Sequence, residues 1–391
     1  VDNMNIQNIR TAQSCARDAR QAVAEFHATV AQPNMELVVF FCASVYDLDV
    51  LAVEMNRLFA GIQVVGCTTA GEIGPAGYHQ HSLSGAGFPV GSCAAVSGLL
   101  DRLSQFDIAR GHEFAQTLLQ RLESKVPQAC PDNCFAFMLI DGLSVREEPV
   151  AHALQYALGK IPLIGGSAGD DQKFEKTFIY IDGRFHTDSA ALILISTALP
   201  FLIFKTQHFV PTDKRMVVTE ADPAKRIVTE INGLPAAKEY AHMVGIDVHD
   251  LNPMRFAASP VVVMINGIDY VRSIQKANPD GSLTFFCAIE EGLVLRVAHG
   301  VDLVNNLEQT FDKIRAQIGQ PQLVFGCDCI LRNLEISQTG LKDRVEEILK
   351  RNNTIGFSSY GEQFHGVHIN QTLTGIAIGT ATEPIRKVRD V

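Results

Sequence analysis

Apolar residues fall along this chain in short runs separated by helical patterns, and the order of these runs repeats. Leu37–Ala43 (LVVFFCA) is an unbroken apolar run of strand length. Leu48, Leu51, Ala52, Met55, Leu58 and Phe59 follow at the spacing of one helix face. A second run ends in Val65-Gly66-Cys67-Thr68-Thr69-Ala70-Gly71-Glu72, and a third covers Ser82–Phe88. The same order returns with Phe135–Ile140, a helix over Glu147–Leu158, the loop Ile164-Gly165-Gly166-Ser167-Ala168-Gly169-Asp170-Asp171 and a run over Thr177–Ile181. Pro149 is compatible with that helix because it lies in the first turn, where no backbone N–H is needed. A third round comprises Leu323–Leu331, a helix over Leu341–Leu349, the loop Ile355-Gly356-Phe357-Ser358-Ser359-Tyr360-Gly361-Glu362 and Gln371–Ile378.

The repeat therefore predicts three strand–helix–strand units, each closing in glycine, small hydroxyl residues, glycine and an acid. Gly66 to Leu83 and Gly356 to Leu373 are both 17 residues, whereas the middle copy is shorter. Between the second and third copies, Pro200–Gly319 holds strand-like runs at Phe201–Lys205, Met216–Thr219, Val261–Ile265, Ser282–Ile289 and Val294–Ala298. Helical patterns there cover Pro235–Met243 and Val301–Ile318, and Asn232-Gly233, Asn266-Gly267 and Asp280-Gly281 signal tight turns. The expected fold is α/β (α+β), with sheets covered by helices on at least one face. The expected division is a helical lead-in at 1–30, a first region at 31–199 and a second at 200–391, with the boundary at Leu199-Pro200.

Composition narrows the function. With 391 residues, 47% apolar and 19% charged, the chain is globular and long enough for two or three domains. Trp is absent, so the cores rest on aliphatic residues and 22 Phe. A net charge of −10 with no Lys/Arg cluster argues against nucleic acid or an anionic membrane as partner. The first 20 residues lack the apolar stretch of a secretory signal, and Met4 is a candidate start. Ala190–Phe204 is apolar for only 15 residues and reads as two buried strands rather than a membrane span. Nine cysteines, mostly inside apolar runs, fit a reducing, cytoplasmic setting.

Three segments carry a family resemblance: Val65–Gly77 (VGCTTAGEIGPAG), Ile164–Asp171 (IGGSAGDD) and Gly356–Gly379 (GFSSYGEQFHGVHINQTLTGIAIG). They resemble the signatures of FIST-domain proteins, the first two in the FIST N region and the third in FIST C. The resemblance spans about residues 30–380 and implies a sensory, non-enzymatic module that binds a small ligand. A chain of this length without a fused output domain is similar to the stand-alone bacterial nitric-oxide-sensing haemoproteins of the family. That likeness implies haem b as cofactor, nitric oxide as the gas ligand, and a histidine kinase or cyclic-di-GMP enzyme as partner. A homodimer is left open.

Two constellations could carry ligand chemistry. A haem sensor needs one axial ligand, usually His, in an apolar pocket. His365 and His368 lie between the third acidic loop and its closing strand, and His368 is preferred; His186, His208 and His299 are the other candidates. The acidic glycine loops are the second: Thr68, Thr69 and Glu72, Ser167, Asp170 and Asp171, and Ser358, Ser359 and Glu362. Their hydroxyls and backbone N–H groups suit a carboxylate or amide and their acids suit an amine, so an amino acid would use both. The plainer reading is that each loop is a structural turn, which a threefold repeat favours. Gly165–Gly169 also matches the hydrolase elbow G-x-S-x-G, but no helix pattern follows the Ser, as that motif requires. His79-Gln80-His81, Cys130 with Cys134, and Cys327-Asp328-Cys329 lack the paired spacing of a zinc ribbon.

Overall fold

The computed structural model describes residues 8–380 apart from Asn266, so the turn expected at Asn266-Gly267 lies partly outside the described residues. In chain order the first stretch runs β1 (Arg10–Ser14), α1 (Ala19–Val30), β2 (Met35–Ala43), α2 (Leu48–Leu58), β3 (Gln63–Thr69), β4 (Glu72–Gly74), β5 (Gly77–His79) and β6 (Leu83–Pro89). The second is β7 (Ala94–Leu100), α3 (Ile108–Lys125), β8 (Cys134–Ile140), α4 (Glu147–Leu158), β9 (Leu163–Ser167), β10 (Ile179–Ile181), β11 (Arg184–His186) and β12 (Ala190–Ser196). A third opens with β13 (Phe201–Thr206) and is interrupted by β14 (Phe209–Asp222), β15 (Ile227–Ile231), β16 (Leu234–Pro235), α5 (Ala236–Val244), α6 (Pro253–Ala258), β17 (Val261–Ile265), β18 (Ile268–Arg272), β19 (Ile274–Ala277), β20 (Leu283–Phe285) and β21 (Val294–Gly300). It resumes with α7 (Leu303–Ile318), β22 (Leu323–Cys329), α8 (Ile330–Gln338), α9 (Lys342–Arg351), β23 (Thr354–Ser359), β24 (Glu362–Phe364), β25 (Val367–Ile369) and β26 (Leu373–Ile378).

The fold is mixed α/β, and its repeat is larger than the sequence pattern indicates. Each copy is strand–helix–strand–helix–strand–hairpin–strand. The expected helical lead-in is instead the opening strand and helix of the first copy, β1 and α1, matched by β7 and α3 and by β13 and α7. The third sequence run also stops short as a strand, at Cys329, where α8 begins.

Three six-stranded sheets share one strand order: β1-β6-β2-β3-β10-β11, β7-β12-β8-β9-β24-β25 and β13-β26-β22-β23-β4-β5. Only β2–β3, β8–β9 and β22–β23 pair in parallel, across their helical crossovers. The last two strands of every sheet come from a different copy. The first copy lends its hairpin β4–β5 to the third sheet, the second lends β10–β11 to the first, and the third lends β24–β25 to the second. The exchange is cyclic and gives the three sheets an approximate three-fold relation.

Burial on both faces explains the unbroken apolar strands. Leu37, Val39 and Phe41, Phe135, Phe137 and Leu139, and Leu323, Phe325 and Cys327 point from the three central strands into one shared core. Phe325 stacks there on Phe88 and Phe137. The alternate residues face outward under helices: Val38 and Phe40 under α1 and α2, Met138 and Ile140 under α3 and α4, and Val324 under α7 and α9. Among the described residues no helix is long and apolar enough to cross a membrane.

The interruption forms an eight-stranded antiparallel sheet, β18-β17-β21-β14-β15-β20-β19 with β16 beside β15. The run Ser282–Ile289 makes only the short β20, and Phe286–Glu290 is irregular. Asn232 and Gly233 both have positive φ, as their turn signal predicts. The hairpin β24–β25 joins the ring to this sheet, since Ile369 is part of the sheet's own core.

Candidate functional site

The three acidic loops meet at the ring axis and lock one another. Ala70 N donates to Ser358 O (3.0 Å), Gly169 N to Thr68 O (3.0 Å) and Tyr360 N to Ser167 O (3.1 Å). A second cycle runs from Thr68 N to Phe178 O (2.9 Å), from Ser167 N to Gly361 O (2.8 Å) and from Ser358 N to Gly71 O (2.7 Å). The opening glycine of each loop is dictated by close approach to the neighbouring strand. A Cβ on Gly66, Gly165 or Gly356 would lie 2.5, 2.0 or 1.8 Å from the carbonyl oxygen of Phe40, Met138 or Gly326.

Glu72 and Glu362 are fully buried and hold corresponding places. Glu72 accepts from Thr69 Oγ1, Ser82 N and Ser82 Oγ; Glu362 accepts from Ser359 Oγ, Thr372 N and Thr372 Oγ1. Each carboxyl thus ties its own loop to the start of its own closing strand. Burial pushes both pKa values up to about 8, against the lowering effect of the hydroxyl bonds.

The middle loop is built differently. Ile179, not Asp170 or Asp171, pairs with β3 where Glu72 and Glu362 pair with their host strands. Asp170 instead organises the extra segment that precedes Ile179: it accepts from Tyr360 Oη and from the backbone N–H groups of Phe174, Glu175 and Lys176. Asp171 is half-buried and touches Ser44 and Lys173. The carboxylate bracing the second closing strand is Asp141, which accepts from Thr177 Oγ1 and Asp188 N. Thr68 Oγ1 accepts from Phe178 N (2.9 Å). Thr68, Thr69, Ser167, Ser358 and Ser359 are all fully buried. The loops are therefore brought together, but most of their polar atoms are engaged by the fold.

Beside them lies a second polar cluster, of which the sequence pattern singles out only His368 and Ser167. His368 is fully buried on β25, and Gln363 on β24 donates from Nε2 to His368 Nδ1 (3.0 Å) and to Ser167 Oγ (3.0 Å). Arg272 Nη1 donates to the His368 carbonyl (2.8 Å), and Asn370 Oδ1 accepts from Ser273 N (3.4 Å). Four buried side-chain atoms here have no hydrogen-bond partner: Arg272 Nε, Gln363 Oε1, His368 Nε2 and Asn370 Nδ2. Burial drives the His368 pKa down to about 4, with Glu148 and the Phe286 carbonyl pulling upward and Arg226 and Arg272 pulling down, so the ring is neutral. Arg226 closes the rim, joining Glu147 (2.6 Å), Glu148 and the Phe286 carbonyl (2.6 Å), while Glu148 accepts from Ala288 N. The clue in the sequence is the polar stretch His368-Ile369-Asn370-Gln371-Thr372 leading into an otherwise apolar strand.

These residues do not fit haem. Nε2 of His368 faces the Gly361 backbone so closely that a Cβ there would lie 2.6 Å away, with Asn370 Nδ2 at 3.0 Å. Its surroundings are amide and guanidinium groups, not the apolar slot a porphyrin needs. His365 sits half-buried in the β24–β25 turn against Phe364. His208 uses both ring nitrogens on Glu335 and Arg332, His186 bonds the Ile181 carbonyl, and His299 is exposed. Ser167 ends a strand that enters a loop rather than a helix, with Gln363 standing between it and His368. Among the described residues no three His, Cys, Asp or Glu side chains are grouped to hold a metal ion. An open surface cleft, lined by Gln63, Ala95, Arg121 and Lys125, lies along the edge of β7, away from this chemistry.

Comparison with known proteins agrees with this architecture. The FIST N domain matches residues 36–234 and the FIST C domain residues 236–365. The two matches meet within the interrupting sheet rather than at Leu199-Pro200. An uncharacterised protein of Methanocaldococcus jannaschii is 25% identical over 384 residues, covering 87% of this chain and 73% of that protein. FIST domains are sensory, ligand-binding modules rather than catalytic ones. With FIST N alone spanning more than half of its length and FIST C following directly, the chain belongs to the FIST family.

Proposed function

We propose that this chain is a cytoplasmic sensory protein that binds a small polar metabolite, such as an amino acid, and works without haem. The observation that supports it is that four unpaired buried polar atoms belong to one hydrogen-bonded cluster, of Arg272, Gln363, His368 and Asn370, where the ring meets the interrupting sheet. Each such atom costs roughly 1–3 kcal/mol while unsatisfied, and a polar ligand would recover that cost. The nine free cysteines agree with a reducing compartment.

Signalling requires that the bound and free states differ in their affinity for a partner. A ligand gripped by Arg272 on one side and by Gln363, His368 and Asn370 on the other would bias how the interrupting sheet sits on the ring. A histidine kinase or cyclic-di-GMP enzyme is the class of partner that would read this change. The test is thermal unfolding of the purified protein with each of the twenty amino acids, with a raised midpoint for at least one as the expected result. In parallel, ferrous absorption spectra with haem supply, with and without nitric oxide, are expected to show no Soret band in wild type, His365→Ala or His368→Ala. A Soret band that moves with nitric oxide and disappears in one variant would overturn the reading in favour of a haem gas sensor.

A further inference from the structure

We infer that His208 is a proton-operated latch between the ring and the interrupting sheet, closed while its imidazole is neutral. The inference goes beyond the metabolite reading and needs no ligand. The chain passes from the ring to the sheet at Thr206–Phe209 and returns at Gly300–Asp302. These two crossings lie side by side. Val301 N donates to the His208 carbonyl (2.7 Å) and Asn306 Nδ2 to the Gln207 carbonyl (3.3 Å), and a Cβ on Gly300 would lie 3.7 Å from His208 Cδ2. His208 therefore stands at the root of the sheet, where it is fully buried.

The helix α8 grips the imidazole from the ring side. Arg332 Nη1 lies 3.1 Å from His208 Nδ1, and both carboxylate oxygens of Glu335 lie 3.0 Å from Nε2. A guanidinium nitrogen only donates, so Nδ1 accepts, and the single proton of the neutral imidazole is on Nε2, directed at Glu335. Arg332 is itself fully buried and fixed by Asp328 on β22, Nε to Oδ1 at 2.7 Å. This helix is peculiar to the third copy. β2 and β8 reach their crossover helices through the loops 44–47 and 141–146, whereas β22 runs straight into α8. Ile330 and Leu331 of α8 share a small core with Ala257 of α6 and Tyr360 of the third acidic loop. One helix thus touches the root of the sheet, α6 and the ring axis.

A second proton on the imidazole goes to Nδ1, where it points at the Arg332 guanidinium. That hydrogen bond becomes a repulsion, while the contact with Glu335 becomes an ion pair. Arg332 stays with Asp328, and His208 follows the partly exposed Glu335, so the root of the sheet shifts along α8. The charged groups facing His208 are Arg332 and Glu335 from α8 and Asp328 from β22; α7 presents only the neutral Asn306 beside it. Burial holds the His208 pKa below its usual 6.5, with Glu335 and Asp328 pulling it up and Arg332 pulling it down. The latch accordingly stays closed at neutral pH and opens in acid.

The test is amide hydrogen exchange of the full chain from pH 8 to pH 4, with nitrogen NMR of the imidazoles alongside. The readout is protection of the Val301 amide relative to that of Ala136, which bonds the Pro162 carbonyl within the second copy. At pH 8 His208 is expected as the Nε2–H tautomer. As it protonates, relative protection of Val301 is expected to fall at least about tenfold, the scale of one lost hydrogen bond to a charged group. His208→Gln offers Arg332 an oxygen and Glu335 an N–H without titrating, and is expected to hold that protection constant over the whole range. Should His208→Gln unfold, Glu335→Gln removes the carboxylate that favours the protonated imidazole and is expected to move the opening to lower pH. The latch is overturned by an Nδ1–H tautomer at pH 8, by no protonation of His208 down to pH 4, or by Val301 protection that ignores its protonation. An equal fall in His208→Gln, or an unshifted opening in Glu335→Gln, overturns it as well. No metabolite enters these measurements, so the latch and the metabolite reading fail separately.

Discussion

Glu72 and Glu362 lend themselves to a quantitative test because they are buried, alike and uncompensated by any cation. In the unfolded chain each titrates near 4.5, and in the fold near 8. Between those values the native state holds a proton that the unfolded state has released, so stability falls as pH rises. The slope is about 1.3 kcal/mol per pH unit for each glutamate, or about 2.5 kcal/mol each between pH 5.5 and pH 7.5, and it flattens above pH 8. Glu72→Gln and Glu362→Gln keep the shape and the acceptor oxygen but carry no titrating proton. Each variant is expected to lose its share of the slope, so that its stability relative to wild type rises by about 2.5 kcal/mol over that range, and the double variant by about twice that. Urea unfolding followed by circular dichroism at pH 5.5, 6.5, 7.5 and 8.5 measures it. Parallel pH profiles for wild type and both single variants would refute the reasoning, because they would mean that the two carboxyls are ionised in the fold.

Two further outcomes follow from packing. Gly165→Ala places a Cβ 2.0 Å from the Met138 carbonyl oxygen, whereas Gly91→Ala meets only open space with a strained positive φ. The first is expected to cost more than about 3 kcal/mol or to prevent folding, the second about 1–2 kcal/mol, measured as shifts in urea midpoint. Arg226→Ala removes the partner of the buried Glu147 and the half-buried Glu148 and is expected to cost about 3–5 kcal/mol at pH 8. The loss should shrink toward pH 6, because burial already pushes the Glu147 pKa up to about 7 despite the opposing pull of Arg226.

The repeat and the three loops are legible in the sequence because strand, crossover helix and loop are local and their apolar periods are strong. The opening strand and helix of each copy are not recognised as part of the repeat, because β1 is an edge strand with only two buried residues of five and β13 is separated from α7 by the interrupting sheet. The middle loop misleads for a definite reason. Its Asp170-Asp171 sits in line with Glu72 and Glu362 by sequence, yet the segment that follows shifts the true counterpart to Ile179. The polar cluster depends on Arg272 meeting His368 and Ser273 meeting Asn370 across almost a hundred residues, which no local period reports. Gln363 and Asn370 are ordinary polar residues until the fold buries them without partners.

The hairpin exchange bears on how such a chain can be made. As the protein emerges from the ribosome, the first sheet cannot be completed until β10 and β11 of the second copy have been synthesised. β4 and β5 must wait for β23, with Ile73 finding Gly356 only when nearly the whole chain is out. No copy can finish folding alone, and none can be cut away without opening an edge on another sheet. Folding should accordingly be slow, dominated by late long-range closure, and all-or-none across the ring. Separate expression of any one copy should yield a protein with a vacant host edge, prone to capture hairpins from its own kind.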